Sequence, residues 1–309
     1  MLDVRRLRLL HHLSAYGTVT ATAEALRLTG PAVSQQLAAL EREAGLPLLE
    51  KHGRTLRLTA AGRLLVAHAE VILGDLAAAE AELAALRGGE RGTVRVAAFP
   101  SAARTLMAGV WARLQGWPES PLVLQLVQHE PDEAVGALTR REVDLAVAHA
   151  YTLLPRELPA GCERHPLLDD PVLLALHPAT AGERGLAPGA GADLAAFARM
   201  PWLMPGSATS CHEMIERACG AAGFVPVPAV QADDFSVLTA LVAAGAGVAL
   251  VPRMALPAAL PGISLHPLIR PVTRSVFAVT RAGTGRRPEI RHLLDLLERS
   301  VSDHRTQLC

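Results

Sequence analysis

The chain has 309 residues, half of them apolar, and its 30 Lys or Arg exactly offset 30 Asp or Glu. That length calls for two or three units with sizeable cores, and zero net charge argues against a protein that coats nucleic acid over its whole surface. No apolar run reaches bilayer length, and the opening MLDVRRLRLLHHL is a basic amphipathic helix without a cleavage site, so a cytoplasmic protein without membrane contact is expected.

The first helix is predicted over 3–15, with Val4, Leu7, Leu10 and Leu13 facing inward. Thr20 is placed to cap a second helix near 21–26, whose apolar face is Ala23 and Leu26. Thr29-Gly30-Pro31 opens a third, with proline in the first turn, where no amide donor is needed. Val33, Leu37 and Leu40 recur at helical spacing and turn inward. That leaves Ala32, Gln35, Gln36 and Ala39 outward and Ser34 near the leading end. Gly45 and Pro47 stop this helix. Leu48-Leu49 and Leu56-Arg57-Leu58 read as strands around Lys51-His52-Gly53-Arg54, and Thr59 caps the next helix.

Two helices, a tight turn and a basic hairpin make a winged helix-turn-helix, whose second helix fits the major groove. Pro31, Ser34, Gln35 and Gln36 are the candidate base-proximal residues, because uncharged side chains read bases without binding every phosphate alike. Lys51 and Arg54 are the candidate wing contacts. Over 1–65, nine Arg or Lys stand against five Asp or Glu, a local positive footprint. A small helical bundle with a polar face would carry the same pattern.

A single helix without proline is predicted over 60–87. Leu65, Ile72, Ala79 and Leu86 repeat every seven residues, and Ala69, Leu76 and Leu83 form a second row. Leu65, Ile72, Leu76 and Leu83 are the candidate dimer contacts; packing against the rest of the same chain is the alternative. Gly88-Gly89-Glu90-Arg91-Gly92 reads as a hinge over 88–92. Beyond it, strands near 94–98, 122–127, 143–148, 172–176, 202–204, 229–231, 248–251 and 276–280 alternate with helices, the last over 290–301. This alternation predicts parallel sheets under helical cover.

Ligands of such sheets bind beyond the strand ends, where helix N-termini offer free amides. Ser101 and Ala102, His149, Ser207 and Thr209, and Phe235 within Asp234-Phe235-Ser236 are the candidate effector contacts, and the serines, threonine and free amides suit an anion. Each hydroxyl could equally be a helix cap. Cys162, Cys211, Cys219 and Cys309 lack metal-ligand spacing, so neither a metal nor another cofactor is expected. Cys211 and Cys219 on one helix would stand about 12 Å apart, too far for a disulfide without unwinding. No phosphate loop, nucleophile elbow or zinc-protease motif occurs, and Gly245-Ala246-Gly247 precedes a strand instead of following one, so no enzyme is expected.

Residues 29–37, Leu40-Glu41, 45–51, Arg54 and 58–62 resemble the N-terminal domain of LysR-type transcriptional regulators nearly in step. Gly30 departs from that pattern, where Gln is usual and often touches a base; Leu49 replaces the usual Phe, and Val19 departs too. Arg95-Val96-Ala97, 143–147 and 241–252 resemble the effector domain of the same family. The resemblance implies a multi-domain chain: an all-α winged helix-turn-helix domain over 1–59, a linker helix over 60–87, and a two-lobed α/β effector domain of the periplasmic-binding-protein type over 93–303. Lobe I would take 93–167 and 268–303, lobe II 168–267, with a tail at 304–309. It further implies a homodimer or homotetramer on double-stranded DNA at an interrupted palindromic operator, a small-molecule effector between the lobes, and RNA polymerase as a further partner. It also favours a pocket role for Ser101. The competing reading is a small-molecule-binding protein or enzyme of the same two-lobed fold, whose N-terminal helices bind no DNA.

Overall fold

The computed structural model describes residues 1–52, 55–86, 92–116, 120, 122–257, 259 and 261–307. The N-terminal unit begins with α1 (Val4–Tyr16), whose N-cap Asp3 accepts a hydrogen bond from Arg5 N at 2.7 Å. Helix α2 (Val19–Leu26) is capped by Thr18, which accepts from Ala21 N at 3.1 Å; the expected cap, Thr20, lies inside the helix. Helix α3 (Gly30–Ala44) has Thr29 as N-cap, Pro31 in its first turn and left-handed Gly45 (φ 68°) at its end. Its Val33, Leu37 and Leu40 pack on Leu7, Leu10 and Leu13. Val4 is exposed, and Leu9 takes a core place instead.

Strands β1 (Leu49–His52) and β2 (Thr55–Leu58) form an antiparallel hairpin. Its entry is tied to α3: the Glu41 carboxylate accepts from Leu48 N at 2.9 Å and Leu49 N at 3.0 Å. Removing that acceptor leaves two amides beside the core without a partner. Glu41→Ala is expected to cost about 1–3 kcal/mol locally, read as faster hydrogen exchange across α3 and β1 in the full chain.

Helix α4 (Ala60–Leu86) serves two neighbours. Val66 and Ala69, with Leu65 packed beside them, complete the N-terminal core. Leu65 is thus half-buried against its own chain. Further along, Gly74 lies so close to Ala282 O that a Cβ would stand 2.8 Å from it, which seats α4 on the second half of the chain. His11 Nε2 lies 3.3 Å from a Glu70 carboxylate oxygen where the two halves meet. Ile72, Leu76 and Leu83 remain exposed. The expected hinge falls mostly outside the described residues, apart from Gly92, which already begins a strand.

Beyond it come β3 (Gly92–Ala98), α5 (Pro100–Ala102), a π-helical turn (Ala103–Met107), α6 (Ala108–Gln115), β4 (Leu122–Gln128), α7 (Pro131–Thr139) and β5 (Leu145–Tyr151). Then follow β6 (Cys162–Leu176), α8 (Pro178–Glu183), β7 (Trp202–Met204), α9 (Ser210–Ala221), β8 (Pro228–Gln231), α10 (Phe235–Ala243) and β9 (Ala249–Pro252). The chain closes with β10 (Ser264–Pro267), β11 (Thr273–Arg281) and α11 (Pro288–Gln307). Helix α11 thus runs through part of the stretch expected as a tail.

In the first lobe, β3 pairs in parallel with β4 and β5, while β11 lies antiparallel between β5 and the first half of β6. The second half of β6 pairs with β9 and β10, both antiparallel, in the second lobe. One strand is therefore shared between the lobes, and the sheets are mixed instead of purely parallel. The leading half of β6, Cys-Glu-Arg-His-Pro, is an edge strand; edges tolerate polar residues and proline, which hides them from a hydrophobic-run reading. Among the described residues, no helix is long and apolar enough to cross a membrane.

Candidate functional sites: the outer face of α3 and the cleft between the lobes

Burial of Val33, Leu37 and Leu40 fixes the rotation of α3, so Pro31, Ser34, Gln35 and Gln36 stand exposed on the other side. Gln36 is partly committed: its Oε1 accepts from Arg6 Nε at 2.9 Å, and Arg6 is also paired with Glu43. Ser34 and Gln35 carry no such tie among the described residues and are the more available pair. Arg42 is exposed two turns beyond Gln35, a basic residue that the helix-start signals did not single out. Lys51 sits on β1, while Arg54 lies outside the described residues.

Two connected cavities open where β3 and β5 end. The outer one, about 710 Å³, is bounded by Ser101, Arg104 and Glu130 from the first lobe and Thr209, Asp233 and Phe235 from the second. The inner one, about 40 Å³, reaches His149, Tyr151, Cys211 and Arg274. Ser101, His149, Thr209 and Phe235 are thus gathered at one site. Ala102 is not: it is fully buried in the first-lobe core, because the turn after Ser101 points it back at the sheet. Ser207 is exposed on a neighbouring groove of about 390 Å³, with Arg156 and Glu213.

The floor of the cleft is a buried ion pair absent from the sequence reading. Arg274 donates from Nε and Nη2 to Asp170 at 3.0 and 2.7 Å, and from Nη2 to the Ser101 hydroxyl at 3.1 Å. Asp170 also accepts from Met254 N at 2.9 Å, and the guanidinium lies 5.0 Å over the Phe99 ring. His149 packs edge-on between Phe99 and Tyr151, with centroids at 4.6 and 5.1 Å. Burial, and then Arg274, hold its pKa well below the ordinary histidine value, so the ring is neutral. Burial pushes the Tyr151 phenol well up, so it stays protonated. His149 Nδ1 is buried without a hydrogen-bond partner among the described residues, whereas Tyr151 Oη lies against the Cys211 thiol and the Arg274 guanidinium.

The mouth is acidic. Glu130, Glu133, Asp233 and Asp234 border the outer cavity. Its arginine, Arg104, spends Nη2 on the carbonyls of Met254, Ala255 and Leu256 at 3.3, 2.7 and 3.1 Å. The anion was expected from hydroxyls and helix starts visible in the sequence; the facing carboxylates come from separate lobes and do not favour it. Cys211 and Cys219 are free, buried on α9, and pushed by burial to about 11 and about 12. They are thiols, not thiolates, at neutral pH, which disfavours a peroxide-sensing role.

A helix-turn-helix with a wing, carried on a long helix ahead of two lobes around a cleft, defines a ligand-responsive DNA-binding regulator. The comparisons agree. Residues 4–63 match the bacterial regulatory helix-turn-helix family of LysR type, and residues 87–302 match the LysR substrate binding domain. The transcriptional regulator IlvR of Caulobacter vibrioides is 30% identical over 280 residues, spanning 87% of this chain and 89% of that protein. Full-length CbnR, solved with its target DNA, is 25% identical with a TM-score of 0.52, over 97% of this chain and 100% of that one. LysG of Corynebacterium glutamicum, solved with bound effector Arg, has the same fold at 20% identity and a TM-score of 0.63, over 98% of this chain and 99% of that one. The chain belongs to the LysR family: it is a DNA-binding transcriptional regulator with an effector-binding domain.

Proposed function

We propose that this regulator works in the cytoplasm as a homodimer, or a pair of dimers, joined through α4, and sets two copies of α3 on an interrupted palindrome. Pro31, Ser34, Gln35 and Gln36 lie against base edges, and Lys51 and Arg54 hold the phosphates. A small effector between the lobes changes their closure, repositions the DNA-binding units and so alters promoter bending or polymerase contact. The effector must favour one closure over the other, since equal affinity for both shifts nothing. The observation that carries the DNA reading is the row of uncharged polar side chains on α3, rigidly backed by Val33, Leu37 and Leu40. The CbnR complex with target DNA and the LysG structure with its effector support the two halves of the reading.

Ser34→Ala and Gln35→Ala test it. Each is expected to weaken binding to the chain's own promoter fragment by about 1–3 kcal/mol while leaving binding to scrambled duplex unchanged. Arg54→Ala should instead weaken both duplexes alike and reduce the slope of log K against log salt by about one. Equal losses on promoter and scrambled DNA for the α3 variants would contradict base reading. Fluorescence anisotropy over a salt series measures all three.

A further inference from the structure

The carboxylates around the cleft are not all matched by cations. Among the described residues, two of its arginines are paired with carboxylates and a third is tied to backbone. Arg274 is held by Asp170 and Ser101. Arg156 donates to His149 O at 3.0 Å and pairs with Asp132. Arg104 is held by backbone carbonyls. Among the acids, Glu133 has His129 at 3.0 Å, Asp234 caps α10 through Ser236 N at 2.7 Å, and Asp233 Oδ1 accepts from Gly206 N at 3.2 Å. The Glu130 carboxylate has no hydrogen bond or ion pair among the described residues, yet the residue is half-buried and borders both cavities. Asp233, from the other lobe, borders both as well.

A second observation is independent of the acids. His149, 3% exposed, lines the inner cavity with Nδ1 unpartnered among the described residues, beside the equally buried Tyr151. A buried polar atom without a partner is costly, and one facing a small space marks a place for a hydrogen-bonding group from outside the chain. A space of about 40 Å³ admits a group of only a few heavy atoms.

We propose that the effector is a small organic cation, an ammonium or guanidinium compound, whose charged group sits between Glu130 of one lobe and Asp233 of the other, with a small polar end hydrogen-bonded to His149 Nδ1. This deepens the regulator reading and rests on the cleft being the effector site. Two carboxylates on opposite lobes repel when the cleft is empty and are bridged when a cation enters. Closure is then the state the ligand prefers, as a shift of lobe population requires. Burial, the largest influence on Glu130, raises its pKa, with Arg274 opposing and Asp233 adding to the rise; a bound cation would reverse that cost.

The test uses the full chain, with calorimetric titration of L-arginine, L-lysine and putrescine against the neutral L-citrulline and L-norleucine and the anion succinate. At least one cation is expected to bind, and its neutral counterpart to bind about 10- to 100-fold more weakly, the worth of a hydrogen bond to a charged group. Glu130→Gln and Asp233→Asn should each weaken the cation by a similar factor; the second keeps an oxygen for Gly206 N, so a folding failure of one variant leaves the other as the test. Preferential binding of succinate, absence of binding by every cation at millimolar concentration, or cation affinity unchanged in both variants would overturn the proposal. Promoter binding by the ligand-free wild-type chain is measured separately, so a failure of the regulator reading is distinguishable from a failure of this one.

Discussion

Arg274→Met is expected to destabilise the effector unit by about 3–5 kcal/mol, the usual consequence of removing one member of a buried ion pair. Arg274 and Asp170 are each 2% exposed, so the aspartate left behind cannot recover solvent. Met254 N would be its only remaining donor among the described residues. In a unit of this size each kcal/mol moves the midpoint by roughly 2–4 °C, so a loss of more than about 6 °C should be visible by calorimetry. The double variant Arg274→Met, Asp170→Leu removes both charges and should recover most of that loss, since apolar replacement of a whole buried pair is often neutral. The contrast is Arg286→Ala. Its partner Asp75 lies 3.3 Å away at the surface, and such exposed pairs contribute under about 1 kcal/mol. If Arg274→Met melted like the wild-type chain, the pair would not be what holds β6 and β11 together beneath the cleft.

The N-terminal unit was legible because its signals are local. Thr29, Pro31 and Gly45 mark the ends of α3, and three apolar residues at helical spacing fix its rotation. The errors there are small and physical. Thr18 and Thr20 are equivalent as letters, and only the hydrogen bond to Ala21 N distinguishes the cap. A periodic stripe cannot say which of two partners Leu65 faces; α4 uses its first turns to cover α1 and the hairpin, with Leu65 half-buried beside them. The cleft was half legible. Ser101, Thr209 and Phe235 were reached through strand ends and helix starts. Arg274 and Asp170 are 104 residues apart, and no spacing rule connects them. Glu130, before Pro131, reads as the start of a helix, and only the fold brings it opposite Asp233.

Leu76→Asp is expected to yield monomers in sedimentation and to weaken binding to the full operator by 10²- to 10⁴-fold, the range lost when two linked sites become one. Helix α4 buries Val66, Ala69 and Leu73 on one side, while Ile72, Leu76 and Leu83 remain 41%, 39% and 55% exposed on another. Covering one such leucine contributes about 1.5–3 kcal/mol, and a two-fold axis repeats the contribution on the partner. An aspartate in the proposed seam would forfeit both terms and place two charges where apolar surface is to be buried. The variant keeps α3 and its supporting core intact, so its affinity for an isolated half-site should equal that of the wild-type chain. That second measurement separates a broken interface from a broken fold, since a misfolded N-terminal unit would lose the half-site too. Persistent dimers would place the main interface elsewhere and leave the exposed row on α4 without a partner. A monomer that still held the full operator at wild-type affinity would mean that the two recognition helices do not act as a pair.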